Sequence, residues 1–321
     1  MIPVRPAHPM LRAALGAILA FSSAMAGDPV TAERAGGQLI VRSGKKEILR
    51  YQVEPGDLPR PEIKALFRRG GYIGSVLTPA GVLVTDDFPP NHLHHHGVWT
   101  AWTKTSFEGR QPDFWNMGDG KGRVEAGGLE SFRAENGEVQ FTAWHSFVDM
   151  TATPEKVALQ ETWKVTVSAP ENRYVIDLTS TQTCATAEPL KLPKYHYGGI
   201  GFRGHRTWDG APNCRFLTSN GETDRLKVNE SKARWCWIGG SVEGKTGGIA
   251  VLGHPENYRA PQPLRAHPTE PFLCFAPQQG GDMEIAPGKP YVSRYRLIVF
   301  DGEPDARAIE GWWDAWTAKK P

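Results

Sequence analysis

From Gln38 to Phe300 apolar and polar residues alternate with a period of two, and this pattern constrains the fold more than any other feature of the chain. Successive side chains of a β-strand point to opposite faces, so alternation means strands with one face buried. Val139, Phe141, Ala143, His145 and Phe147 share a face of one such strand; Tyr174, Ile176 and Leu178 share a face of another. Glu135-Asn136-Gly137 and Ala169-Pro170-Glu171-Asn172 separate strands and have the residues that tight turns require. Loops are short, with no low-complexity linker and no internal repeat. The expected architecture is therefore all-β, one large antiparallel β-sandwich spanning residues 27–321.

Two segments read as helical. Pro61 to Phe67 is short. The other begins at Pro304, a favourable first helical position, and carries Ile309, Trp312, Trp313 and Trp316 at helical spacing. That C-terminal helix is expected to lay its tryptophans on a sheet as core packing.

Residues 1–26 read as an export signal. Arg5 and Arg12 precede a small apolar run, Ala13 to Phe21, and Ala24-Met25-Ala26 is a small-x-small cleavage pattern, leaving Gly27 as the first mature residue. No later apolar run approaches the roughly 20 residues needed to span a bilayer. The expected location is periplasmic or secreted. A net charge of +2 with dispersed charges offers no basic stripe for nucleic acid. Cys184, Cys214, Cys236 and Cys274 match no zinc spacing; export permits disulfides, and buried free thiols are the alternative.

The densest chemistry lies in Asn91-His92-Leu93-His94-His95-His96-Gly97, where four of the ten histidines fall within five positions. Imidazole titrates near neutral pH and is the commonest metal ligand. On a strand, His92, His94 and His96 would face one way and His95 the other. A catalytic or substrate-contacting role fits at least one of them, and a divalent metal held by His92, His94 and His96 is an alternative. Trp99, Asp113 and Trp115 follow closely, as ring-stacking surfaces and as a carboxylate that either orders a histidine or caps a turn.

A second constellation, Lys194 to Arg203, holds Lys194, Tyr195, His196, Tyr197 and Arg203 among three glycines. Such a segment supplies donors for hydroxyl or carboxylate groups, or else is a glycine-rich strand with bulges. Glu161 shares the apolar face of its strand with Leu159, Trp163, Val165 and Val167. Burial would raise its pKa towards that of a general base; structural pairing is the equal alternative. His254 ends a strand in a turn, whereas His145 reads as a satisfied core histidine. Neither a Gly-x-Ser-x-Gly elbow nor a phosphate loop is present.

Taken together, Asp87 to Trp99, Asp113-Phe114-Trp115, Tyr195 to Arg203, Gly248 to Asn257 and Tyr295 to Gly302 resemble the bacterial family labelled "methane oxygenase PmoA", over about Gln38 to Gly302. Members of that family often have Arg where this chain has His96. The resemblance implies a β-sandwich similar to galactose mutarotase, with a histidine acid and a carboxylate base. By residue type these are His95 or His196 and Glu161. The leading expectation is an exported carbohydrate-active enzyme of lyase, hydrolase or epimerase type. His95, His196 and Glu161 would be catalytic, and His94, Trp99, Asp113, Trp115, Lys194, Tyr195, Tyr197, Arg203 and His254 would contact a sugar. The alternatives are a non-catalytic sugar-binding module and a metal-dependent oxygenase, the latter needing two histidines and one carboxylate.

Overall fold

The computed structural model describes residues 28–318, so the expected export signal lies outside the described residues. In chain order the strands are β1 (Val30–Ala35), β2 (Gln38–Ser43), β3 (Lys46–Gln52), β4 (Tyr72–Val76), β5 (Val98–Ala101) and β6 (Gly122–Glu135). Then come β7 (Glu138–Asp149), β8 (Lys156–Ser168), β9 (Arg173–Cys184), β10 (Leu190–Leu192), β11 (Gly199–Arg203) and β12 (Cys214–Thr218). The last are β13 (Trp235–Val242), β14 (Lys245–Gly253), β15 (Leu264–Ala266), β16 (Phe272–Phe275), β17 (Met283–Ile285) and β18 (Tyr291–Asp301).

They form two eight-stranded antiparallel sheets, one in the order β1-β2-β3-β4-β5-β11-β16-β15 and one in the order β12-β13-β14-β18-β9-β8-β7-β6. A two-stranded ribbon pairs β10 with β17. The predicted hairpin Glu135-Asn136-Gly137 joins β6 to β7, with Asn136 and Gly137 both at positive φ (53° and 77°), the backbone that a primed turn demands.

Alternation decides what each strand buries. Val139, Phe141 and Ala143 of β7 meet Leu39, Val41, Leu49 and Tyr51 of the first sheet in one core between the sheets. In β13, Cys236 and Ile238 face that core while Trp235 and Trp237 face outward. The outward rings are covered by a C-terminal helix, Ala306–Thr317, whose Ile309 is fully buried against them. Asp305 caps this helix by accepting from the amides of Arg307 (2.8 Å) and Ala308 (3.3 Å), so Pro304 precedes the cap instead of opening the first turn. The segment expected to be helical near Pro61 supplies only a single 3₁₀ turn, Ala65–Phe67. All four cysteines are free thiols, three of them buried.

The site depends on the other face of the first sheet. Register places Trp99, Gly201, Cys274 and Arg265 side by side across β5, β11, β16 and β15, on the face turned away from the second sheet. Gly201 has a packing reason: a Cβ there would lie 2.8 Å from Trp115 and 2.9 Å from Trp99. Gly201 therefore admits tryptophan rings, whereas Gly198 and Gly199 are at positive φ (137° and 114°), a backbone that favours glycine.

Candidate functional site

Residues 92–96 form turns and not a strand. The His95 amide donates to the His92 carbonyl (2.9 Å) and the His92 amide to the Pro89 carbonyl (3.0 Å). This breaks the two-residue alternation, so His92, His94 and His95 reach one cavity while His96 does not. Gly97 ends the turn where only glycine fits, since a Cβ would lie 2.5 Å from the Ile73 carbonyl oxygen.

The cavity has a volume of about 200 Å³ and brings together the two constellations singled out in the sequence. His92, His94 and His95 come from the turn, Trp115 and Asn116 from the loop after β5, and His196 and Tyr197 from the approach to β11. Arg265, His267 and Phe272 complete the wall, and the sequence reading missed all three. Arg265 and His267 stand two apart around β15, so the alternation that found the core faces was also a signal for them.

His95 is nearly buried, its ring stacked between those of His92 (4.6 Å) and Phe272 (4.8 Å). Burial, reinforced by the neighbouring His94 and His92, holds its pKa well below the ordinary histidine value. Burial together with His92 and His96 takes His94 down to about 4. His196 is also lowered, by burial and then by the charge of Arg265. Tyr197 exchanges hydrogen bonds with the Asn116 amide (3.1 Å), and burial pushes its phenol up to about 12.

His92 differs from these rings because a carboxylate stands behind it. Its Nδ1 lies 2.8 Å from Glu270 Oε2, an ion-pair distance, with the ring turned off the line of an ideal hydrogen bond. Glu270 is gripped in turn by Arg203, which is fully buried and also bonds Asp209 (2.7 Å) and Asn91 (3.4 Å). Burial alone would raise the Glu270 pKa, but His92 and Arg203 outweigh it and bring it to about 2. Glu270 had no signal of its own in the sequence: it lies in a Pro-Thr-Glu-Pro turn and becomes significant only through its neighbours.

Several expected site residues are placed elsewhere. His96 is fully buried, with Nδ1 2.6 Å from Asp87 and its ring stacked on Tyr72, which removes it from the proposed metal trio. Glu161 sits between the sheets with no exposed surface, accepting from Thr100 (2.8 Å), Ser180 (2.6 Å) and Gln182 (2.8 Å) and paired with His145 (2.7 Å). Burial pushes its pKa up, but these partners prevail and hold it at about 2, the reverse of the rise a general base needs. Trp99 is core beneath His95. Asp113 caps a turn, accepting from the amides of Trp115 and Asn116 (both 2.9 Å) and from the Asn116 side chain (2.8 Å).

Lys194 is exposed and does not line the cavity, and Tyr195 packs behind it on the His196 ring (4.3 Å). Arg203 cannot reach a substrate because its guanidinium is spent on Glu270 and Asp209. His254 lines a different cavity, beneath Trp313 of the C-terminal helix. Alternation says which way a side chain points. It does not say what waits there.

For a metal, the donor set that comes together is His92, His267 and Glu270, with ligand atoms within 4.8 Å of one another. The His267 Nδ1, however, accepts from the amides of Glu270 (3.1 Å) and Thr269 (3.4 Å). That leaves its proton on Nε2, and Arg203 already holds the Glu270 oxygen nearest His92.

Residues 38–314 match the model of a family of unknown function, DUF6807. The chain belongs to that family. No curated protein sequence matches this DUF6807 chain. Among solved structures it is similar to a galactose mutarotase-like protein from Clostridium acetobutylicum, with 10% identity over 86% of this chain and 99% of that one and a TM-score of 0.45. It is also similar to heparan sulfate lyase HepC from Pedobacter heparinus (9% identity, 86% of this chain, TM-score 0.35) and to the GH36 α-galactosidase AgaA from Geobacillus stearothermophilus (11%, 85%, 0.33). The DUF6807 chain spans only 37% of the lyase and 40% of the galactosidase. Likenesses of this depth leave the reaction to be read from the cavity. Among the described residues no helix is long and apolar enough to cross a membrane.

Proposed function

We propose that the protein is an exported carbohydrate-active enzyme that moves a proton at a ring carbon, as an epimerase or lyase does. The observation that supports this most is the convergence of five imidazoles on one cavity over the aromatic floor of Trp115 and Phe272, with Glu270 behind His92. A volume of about 200 Å³ is below the roughly 300–1,000 Å³ of pockets for drug-sized ligands, and suits a single sugar ring. Glycoside hydrolysis ordinarily needs two carboxylates flanking the bond. No carboxylate is among the lining residues, Glu270 is held by Arg203, and both Asp113 oxygens are committed to a turn. Imidazoles and the Tyr197 phenol remain to carry protons, and burial pushes that phenol up to about 12, which leaves the imidazoles as the groups that exchange protons near neutral pH.

His92, oriented by Glu270, takes the proton from carbon, and His196, from a separate segment, delivers one. In epimerisation the substrate must carry a carbonyl or carboxyl group next to that carbon, whose oxygen takes the C–H electron pair as an enolate until a proton returns to the other face. In elimination that pair forms the double bond, and the departing oxygen takes the proton. His94, His95 and Tyr197 hold hydroxyls.

His92→Ala and His196→Ala should each lower turnover of a sugar found by screening by about 100- to 10,000-fold, with near-ultraviolet circular dichroism unchanged. Near-normal turnover in both would end the assignment. A metal-dependent reading has one observation behind it, the proximity of His92, His267 and Glu270. Elemental analysis of the purified protein separates the two, because stoichiometric metal that is lost in His92→Ala would turn His92 from a base into a ligand.

A further inference from the structure

Arg265 stands on β15 with its side chain on the cavity face of the first sheet, in register with Cys274 and two positions before His267. Its Nη1 donates to the Asn229 side chain (3.0 Å), which orients the guanidinium. Among the described residues no carboxylate lies within ion-pair distance of it, whereas Arg203, buried behind Glu270, has two. A guanidinium has five N–H donors in a planar fork, so most of those on Arg265 have no protein acceptor.

His267 adds a donor beside it. Since its Nδ1 accepts from two backbone amides, the neutral ring carries its proton on Nε2. Of the two acidic groups on that side, Glu270 is already neutralised by Arg203 and His92, and Glu230, whose amide bonds the Leu264 carbonyl, is exposed and forms no ion pair with Arg265. This end of the cavity thus offers donors and a cation with nothing of the opposite sign among the lining residues.

We propose that Arg265 and His267 form a subsite for a carboxylate, so that the ligand is an acidic monosaccharide, a uronate, and not a neutral sugar. The inference rests on the sugar reading above and narrows it. A planar carboxylate matches the guanidinium fork with two parallel hydrogen bonds, which a lone hydroxyl cannot. Pairing the carboxylate with Arg265 also removes charge from the group next to the carbon that must lose its proton, which is the electrostatic condition for abstraction there.

The test is equilibrium binding by calorimetry of glucuronate and galacturonate against glucose and galactose, on the full mature chain. The uronates should bind at least about 10-fold more tightly than the neutral sugars. Arg265→Gln should erase that preference, weakening the uronates by about 10- to 100-fold while neutral-sugar binding stays as it was. Arg265→Lys, which keeps the charge and loses the fork, should fall between. A matched thermal melt shows that each variant is folded. Equal binding of acid and neutral sugars, or a preference that survives Arg265→Gln, overturns the subsite and leaves the sugar reading standing. Uronate binding without turnover of any sugar has the reverse effect, keeping the subsite and removing the enzyme. Binding of no sugar at all removes both.

Discussion

Glu161 carries a full charge where none of its surface meets water, and its stability contribution follows from its partners. An isolated buried carboxylate would be protonated; this one has four donors and remains ionised. Tyr51 extends the network, its hydroxyl lying 2.8 Å from His145 Nε2, and Gly71 makes room for the imidazole, since a Cβ there would fall 2.6 Å from it. Because the folded-state pKa of about 2 lies below the ordinary glutamate value, the stabilisation is fully present above that ordinary value. It is lost as pH falls from there towards 2. Glu161→Gln should cost about 3–5 kcal/mol at pH 7, the usual penalty for breaking a buried pair, and the deficit should shrink at pH 3. Denaturant unfolding of both proteins at the two pH values checks this. A variant as stable as its parent at pH 7 would contradict the network's role.

Among the elements, the C-terminal helix shows how a surface helix becomes structural. Ile309 is its one fully buried residue, while Trp312, Trp313 and Trp316 lie half-buried on the outer face of the second sheet. Two indole hydrogen bonds fix its position: Trp313 Nε1 to the Gly253 carbonyl (3.0 Å), and Trp235 Nε1 to Glu310 (2.6 Å). Without the helix, Trp235 and Trp237 would be exposed on a sheet face. Ile309→Ala should therefore cost about 2–5 kcal/mol in urea unfolding, as for other buried aliphatic truncations. A loss under about 1 kcal/mol would mean that the helix is an ornament on a sheet stable without it.

For the molecule as a whole, the main core draws from both sheets at once, with Leu49, Ile73 and Phe202 packed among residues such as Phe141, Trp163 and Leu297. Neither sheet can shed its inner face without exposing that of the other. Scanning calorimetry should accordingly show one cooperative transition, with calorimetric and van't Hoff enthalpies in agreement. Two resolved transitions would show that the sheets unfold separately. The cavity is built from the turn at His92–His95, the loop at Trp115, the approach to β11 and strand β15, so it too forms only when distant parts of the first sheet are assembled.

What the sequence determined by itself was local in origin. A period of two specifies strands, Asn136-Gly137 specifies a hairpin, and a helical tryptophan stripe specifies a helix on a sheet; each is a property of neighbouring residues. The histidine cluster and Tyr195–Tyr197 were legible for the same reason, since their composition is unusual over a few positions. Tertiary structure decided the partners. Glu161 looked like a base because burial was readable and its four donors, from other strands, were not. Glu270, Arg265 and His267 looked ordinary because only cross-strand register and a turn place them at the cavity, where Arg203 and His92 convert one carboxylate into an orienting group. The pKa of a buried group is set by what surrounds it in space, and that is a quantity the order of residues does not contain.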